Sequence, residues 1–383
     1  MKVALTHDYL NQMGGAERVV LALHEMFPDA PLYTSIYDPQ RIDTAFQSID
    51  IRTSFMQKFP FVKKHHQPFL PLYPFAIERL DLRGYDLVIS SSSAFAKGII
   101  TRPETMHICY CHTPMRWCWN YDEYVEREHL GKISRAILPF FISGLRVWDQ
   151  TSSMRVDHFI ANSPVVADRM RKYYRRDAVV IPPPVEVSRF TFDPTARPGD
   201  YFLIVSRLMP YKRIDLAIEA CNHLYLPLVI IGSGRDENRL KRLAGPSIRF
   251  MGRLSDQEVL HYYAHCRALI LPGEEDFGIT PLEAQASGRP VIAYAAGGSL
   301  ASVIDNVTGT FFYKQTVESL VEVLASFDEH AYDPQTIYNH ALEFDQPRFK
   351  RRIQQFIEAK MNEGNTRDIS KNDRSQIINL AGD

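Results

Sequence analysis

At residues 273–290 the chain reads G-E-E-D-F-G-I-T-P-L-E-A-Q-A-S-G-R-P. Seven residues separate Glu275 from Glu283. The apolar run Arg267–Leu271 just before it reads as a buried strand. Asp276-Phe277-Gly278 reads as a tight turn, and Thr280-Pro281 as a helix start. The unit is strand, loop, helix, with one acid in the loop and the other just inside the helix. Free N–H groups and the positive dipole end at a helix start suit phosphate. An ionised carboxylate beside them accepts hydrogen bonds from ribose or sugar hydroxyls. The combination points to a nucleotide-sugar site.

The rest of the 383 residues supports that frame. The length suggests two domains of ordinary size. Hydrophobic content of 45% and charged content of 23% suit globular cores. A net charge of −1 argues against a dedicated nucleic-acid binder. Met1–Asp8 turns polar too soon for a signal peptide, and no apolar run reaches the roughly 20 residues a spanning helix needs. The expectation is a cytoplasmic protein. Cys109, Cys111 and Cys118 cluster around His112, but no second pair completes a zinc spacing, so buried reduced thiols are expected and no metal.

Short β-rich runs alternate with helical patterns from end to end. Expected strands are Val3–His7, Leu32–Ile36, Asp86–Ser90, His107–Cys111, His158–Ala161 and Val179–Ile181, then Tyr201–Ser206, Leu228–Ile231, Ile248–Met251, Ala268–Leu271 and Val291–Tyr294. Expected helices include Ala16–Met26, Val165–Tyr173, Ile214–His223, Asp256–His265 and Val317–Phe327. Such alternation implies an α/β protein with two Rossmann-like, doubly wound domains facing a cleft. Prolines at 182–184, 194 and 198 mark the break, giving domains at 1–184 and 200–340. A basic helix over 347–360, with Phe349, Ile353 and Phe356 on one side, is expected to rejoin the first domain. Residues 361–383 read as a disordered tail.

Ligands in such sheets bind at the carboxyl ends of the strands. Arg207 and Lys212, in S-R-L-M-P-Y-K-R at 206–213, follow a strand there. Two cations so placed can neutralise a diphosphate leaving group, Arg as a fork and Lys as a point charge. Gly14-Gly15 opens a helix after the first strand and lets backbone approach a phosphate, though G-x-G-x-x-G is absent. Glu17 and Arg18 beyond it read as helix surface. His112 ends a strand beside Arg116, while Trp117, Trp119 and Tyr121 suit either an acceptor wall or core packing. Gly232 ends another strand near the nucleotide, and backbone at Arg253-Leu254 is placed to face a base. Residues 52–76 interleave Arg52, Lys58, Lys63 and Lys64 with five phenylalanines and hold no acid. That composition suits an anionic membrane surface or, equally, a solvated segment with a buried aromatic side.

Together, E-x7-E at Glu275 and Glu283, S-R-L-x-P-Y-K-R and H-T-P-M-R resemble the retaining glycosyltransferases of family 4, which have the GT-B fold. The H-T-P-M-R segment is similar to bacterial enzymes of O-antigen and exopolysaccharide synthesis, many of them mannosyltransferases using GDP-mannose. The resemblance implies that Arg207 and Lys212 hold the diphosphate and that Glu275 lies near the donor sugar. Phe277, Gly278, Ile279 and Thr280 would support sugar and phosphate through backbone, and Glu283 would bind ribose. His112 would assist beside the transferred sugar, and Gly14-Gly15 would meet the phosphate. It implies no cofactor, no divalent metal, a polyprenyl-linked glycan acceptor and a peripheral position at the inner membrane face. Three alternatives stay open: a UDP-sugar donor, a non-catalytic nucleotide-sugar-binding subunit, and a dinucleotide-dependent oxidoreductase or epimerase.

Overall fold

The computed structural model describes residues 1–120 and 132–379; Tyr121 and residues 380–383 lie outside them. Seven strands build the first sheet: β1 Val3–His7, β2 Leu32–Thr34, β3 Ile51–Thr53, β4 Leu87–Ser92, β5 Met106–Cys111, β6 His158–Ala161 and β7 Val179–Val180. Six build the second: β8 Phe202–Val205, β9 Leu228–Ile231, β10 Ile248–Gly252, β11 Leu269–Leu271, β12 Val291–Tyr294 and β13 Gly309–Phe312. The orders are β3-β2-β1-β4-β5-β6-β7 and β10-β9-β8-β11-β12-β13. Every pairing between these strands is parallel. These are two Rossmann-like doubly wound domains.

Side chains alternate across each sheet, so each domain buries apolar residues on both faces. Leu5, Leu87 and Ile89 enter one core of the first domain, while Ala4 and Val88 enter the other. In the second domain Ile204, Ile230 and Ile292 face one core and Leu203, Val229 and Val291 the opposite one. Strand order reverses between β1 and β4, and again between β8 and β11. A crevice opens at the carboxyl ends of strands where such a reversal occurs. The topology therefore puts His7–Gly15 at one switch point, and 206–213 with 272–278 at the other.

Two buried polar anchors shape the first wall. The Asp8 carboxylate accepts N–H bonds from Ser93, Ala94, Phe95 and Ala96 at 2.6–3.0 Å. A carboxylate so satisfied ties the β1 exit to the turn after β4. Lys97, on that turn, contacts Asp149 of the helix Lys132–Ser153 in the interior. The other Asp149 oxygen accepts from Trp119 Nε1 at 2.7 Å and Tyr174 Oη at 2.8 Å.

The chain crosses between domains twice, and the crossings run side by side. Val185 N donates to Phe344 O (2.9 Å), Gln346 N donates to Val185 O (3.0 Å), and Val187 N donates to Asp345 Oδ1 (3.2 Å). The helix that starts at Gln346 then returns to the first domain. Phe349, Ile353 and Ile357 lie in the core beside Leu5 and Tyr110. The inward row is thus spaced by four; Phe356, expected inside, sits at its edge against His158. The helix runs from Gln346 to Asn379, over part of the stretch read from the sequence as a tail. A helix already nucleated by docking extends without a new nucleation cost.

Strands β3 and β13 and the helix Lys132–Ser153 were not expected from the sequence. β3 is an edge strand of three residues without a buried position, and Pro139 and Gly144 punctuate the helix pattern. Residues 52–76 form 3-10 turns at Phe55–Lys58 and Gln67–Leu72 and the start of a helix at Tyr73, with Pro71 inside the second turn. Replacing Phe349 with Ala should destabilise the first domain by about 3–5 kcal/mol through the cavity it leaves. Urea unfolding followed by a fluorophore in that domain measures this; a loss below about 1 kcal/mol would show that the returning helix is not part of its core.

Candidate active site

The second-domain wall is built by two loops. After β8, Ser206–Arg213 turns through a short 3-10 segment at Pro210–Lys212. After β11, residues 272–278 lead to the helix Ile279–Ala286, capped by Gly278 at φ 85°. Lys212 from the first loop contacts Glu275 from the second directly. The cation and the loop acid therefore share one locus at adjacent strand ends. Arg207 lies beside them, its guanidinium bonded to Tyr211 Oη at 3.0 Å and to Gln12 of the first domain at 3.1 Å.

Close backbone packing fixes these loops. Gly298 N donates to Glu275 O at 2.7 Å, and a Cβ on Gly298 would lie 2.1 Å from Phe277 Cα. Gly232 has φ 131°, and a Cβ there would lie 1.9 Å from Ser206 O. Only glycine permits that contact, so Gly232 supports the Arg207 loop from behind. The Phe277 side chain is buried with Val185, Val187 and Leu282, which leaves its backbone, not its ring, on the loop. Leu254 packs partly into the core, and Arg253 beside it is exposed. Ile279 and Thr280 form the first turn of the helix.

Glu283 is held on both oxygens. Tyr263 Oη donates to Oε2 at 2.7 Å, and Arg18 Nη1 stands 3.2 Å from Oε1. Burial first, then the Glu283 charge, pushes the Tyr263 phenol well above its ordinary pKa, so it remains a donor. Arg18, expected on a helix surface, instead reaches across the cleft to that acid. Glu17 is also inside, 3% exposed.

The first-domain wall comes from β1, β4 and β5. His112 follows β5 and is buried, its Nε2 2.8 Å from Ser91 Oγ. Burial, reinforced by the nearby His7, lowers its pKa to about 3. Gly15 starts the helix that runs to Met26, and a Cβ on it would meet Ile279 Cδ1 at 2.5 Å. Gly14-Gly15 and the helix at Ile279 thus face each other across the gap. Arg116 stands 3.6 Å from Asp276 and over the Tyr211 ring. Trp119 is tied inside by its bond to Asp149 and by stacking on Tyr173 at 4.5 Å, so the expected acceptor wall loses that member. Trp117 is partly buried near Phe95.

Further groups cross the cleft. Ser163 Oγ donates to Asp276 O at 2.5 Å while also capping its own helix, and Arg169 reaches Glu274 at 2.6 Å as well as Asp276. Sequence reasoning did not find Arg18, Tyr263, Ser163 or Arg169. Their partners lie between 20 and 265 positions away, so no local pattern marks them.

Comparison with known proteins agrees with this geometry. The model of Glycosyltransferase Family 4 matches residues 13–189, and that of glycosyl transferases group 1 matches residues 192–341. The chain belongs to the family 4-like glycosyltransferases of GT-B fold. Among its relatives is the O-antigen chain mannosyltransferase C of Escherichia coli, 30% identical over 221 residues, or 53% of this chain and 57% of that one. A GDP-mannose-dependent monoacylated alpha-(1-6)-phosphatidylinositol monomannoside mannosyltransferase of Corynebacterium glutamicum is 36% identical over 135 residues, or 31% and 35% of the two chains. This glycosyltransferase thus spans from about a third to just over half the length of these relatives. Its fold is shared with Anabaena HepE, solved in complex with UDP, at TM-score 0.70 and 17% identity over 94% of this chain and 100% of that one. Among the described residues no helix is long and apolar enough to cross a membrane.

Buried histidines give this glycosyltransferase a signature in pH. His107, like His112, is lowered to about 3, chiefly by burial. Below the ordinary value of 6.5 the unfolded chain protonates both rings, whereas the folded protein protonates neither until about pH 3. Unfolding then takes up protons, and acid lowers stability by up to about 1.4 kcal/mol per pH unit for each ring. Urea midpoints should therefore fall between pH 7 and 5.5, with a shallower fall in His107→Gln. Midpoints that rise over this interval would contradict the burial described here.

Proposed function

We propose that this glycosyltransferase moves mannose from GDP-mannose to a growing, polyprenyl-diphosphate-linked glycan, with retention at the anomeric carbon. The observation that carries the reading is the meeting of Lys212 and Glu275 beside Arg207 at the β8 and β11 ends. The mannosyl donor is favoured by the two mannosyltransferase relatives.

In the proposed reaction the bond from the anomeric carbon to the β-phosphate oxygen breaks, and its electron pair leaves with the phosphate. Arg207 and Lys212 neutralise that growing charge, commonly the largest single catalytic contribution. Glu275 orients Lys212 and accepts from a sugar hydroxyl. The acceptor oxygen bonds the anomeric carbon on the same face, and its proton passes to the departing phosphate oxygen. A double displacement would need a carboxylate nucleophile. Asp8, the acid at the β1 exit, is filled by four backbone N–H groups, and the group placed after β5 is a histidine. Both features favour the front-face route, with the two cations doing what a divalent metal does elsewhere.

Residues 52–76 are proposed to bring the enzyme to anionic membrane at the inner face of the plasma membrane, where the lipid-linked acceptor resides. Phe61 is 77% exposed and Phe75 51%, with exposed Lys58 and Lys64 alongside. Exposed aromatic and basic side chains in one segment suit that surface. A second reading, a UDP-sugar donor, is favoured by the UDP complex of the Anabaena neighbour.

Thermal shift across GDP-, UDP- and ADP-sugars separates the two. GDP-mannose should give the largest rise in melting temperature, worth about 2.7 kcal/mol at a hundredfold excess over Kd. A larger rise with a UDP-sugar selects the second reading, and no rise with any of them removes both. Arg207→Ala with Lys212→Ala should lower turnover by about a thousandfold or more while the fold persists. Near-normal turnover in that double variant would defeat the charge assignment. Glu283→Ala should raise the donor KM by about tenfold with little change in kcat, as expected of a ribose contact equal in ground and transition states. An unchanged KM removes the ribose role.

A further inference from the structure

Three parallel strands deliver an unbroken polar line to the first-domain wall. His7 ends β1, Ser91 lies opposite it in the β4 register, and His112 follows β5. Glu17, from the first turn of the helix after Gly14, stands 3.6 Å from His7 Nε2. His7 Nδ1 lies 3.0 Å from Ser91 O and 3.1 Å from Ser91 Oγ. Ser91 Oγ lies 2.8 Å from His112 Nε2. All four residues are buried, His112 the least so at 8% exposed.

The direction of these bonds follows from chemistry. A carbonyl oxygen only accepts, so His7 Nδ1 must carry a hydrogen. That N–H is shared between the Ser91 carbonyl and hydroxyl oxygens. The hydroxyl has one hydrogen, and a buried hydroxyl does not leave it unused. It goes to His112 Nε2, which must then accept. A neutral imidazole with an accepting Nε2 carries its hydrogen on Nδ1. At the head of the line, burial works to lower the His7 pKa, yet its contact with Glu17, helped by the Asp8 charge, raises it overall. Glu17 and Asp8 are the acids facing His7; His112 is the remaining titratable neighbour, and its own ring feels the His7 charge.

We infer that Glu17, His7 and Ser91 form a positioning relay that locks His112 as the Nδ1–H tautomer, so that His112 meets the donor sugar as a fixed hydrogen-bond donor and not as a base. This rests on the donor site proposed above. It also links that site to the phosphate end: Glu17 Oε2 lies 3.2 Å from where a Cβ on Gly14 would stand. Sequence offers no trace of the relay, because the contact of His7 with Ser91 joins residues 84 positions apart.

The test reads the tautomer and the kinetics separately. Full-length enzyme labelled with 15N-histidine is examined by long-range 1H–15N correlation, and the His112 ring is assigned by its loss in His112→Gln. In the wild type at pH 7.5, Nδ1 should show the protonated shift and Nε2 the bare one. Ser91→Ala should shift the ring towards a mixture of tautomers and lower kcat about tenfold, with the donor KM changed less than about twofold. Ser91→Thr, which restores the hydroxyl, should recover kcat to within about threefold. A protonated Nε2 in the wild type overturns the inference. So does a Ser91→Ala enzyme whose kcat stays within about twofold of normal, or a loss of kcat that Ser91→Thr fails to recover in a folded protein. Should no nucleotide sugar bind the wild type, the donor reading fails, and the spectrum still decides the tautomer.

Discussion

The loop at residues 274–276 is gripped from both domains, and the active-site geometry depends on that grip. From its own side it is held by Lys212 and by the Gly298 amide. From the opposite side Ser163, Arg169 and Arg116 converge on it. Ion pairs at full exposure contribute little, a median of about 0–1 kcal/mol. Here the charges share partners and are partly shielded, and Ser163 adds a bond that does not titrate. The result is a loop whose backbone direction is set before any substrate arrives. A loop fixed in this way costs less to order on binding, which is the general advantage of preorganisation.

The first domain reaches rigidity by a different route. Its wall is organised by buried polar groups whose partners are complete: Asp8 with four amides, and Asp149 with Lys97, Trp119 and Tyr174. Each anchor joins segments that the strand order brings together but that packing alone would leave free to slide. A network so satisfied fixes one arrangement, because any slip exposes a charge to an apolar interior. His112 follows directly on β5, where its backbone N donates to Ser92 O at 2.9 Å and its ring meets Ser91, so a loop residue continues the bonding of the strand.

Much of the fold could be read from the chain. Val3–His7, His158–Ala161, Leu228–Ile231 and Val291–Tyr294 have the expected bounds because buried parallel strands are short apolar runs between turn residues. β3 escaped because its three residues sit at the sheet edge with no buried position, and the helix Lys132–Ser153 because Pro139 breaks its pattern. The places of Arg207, Lys212 and Glu275 in the fold were legible since each follows a strand end by two to seven positions, and that of Glu283 since it lies just inside a helix start. Their cross-cleft partners were not. Arg18 looked like helix surface because its partner belongs to the other domain, and Trp119 looked like a candidate wall because its bond to Asp149 joins residues 30 positions apart. Local pattern reports which face of an element is buried; it does not report what that face meets.

The two crossings near Val185 and Phe344 carry a mechanical meaning. Laced together by hydrogen bonds, they form one two-stranded seam rather than a pair of independent tethers. Neither crossing can slide along the other without breaking these bonds, so the seam holds the two walls in the register in which Arg18 meets Glu283.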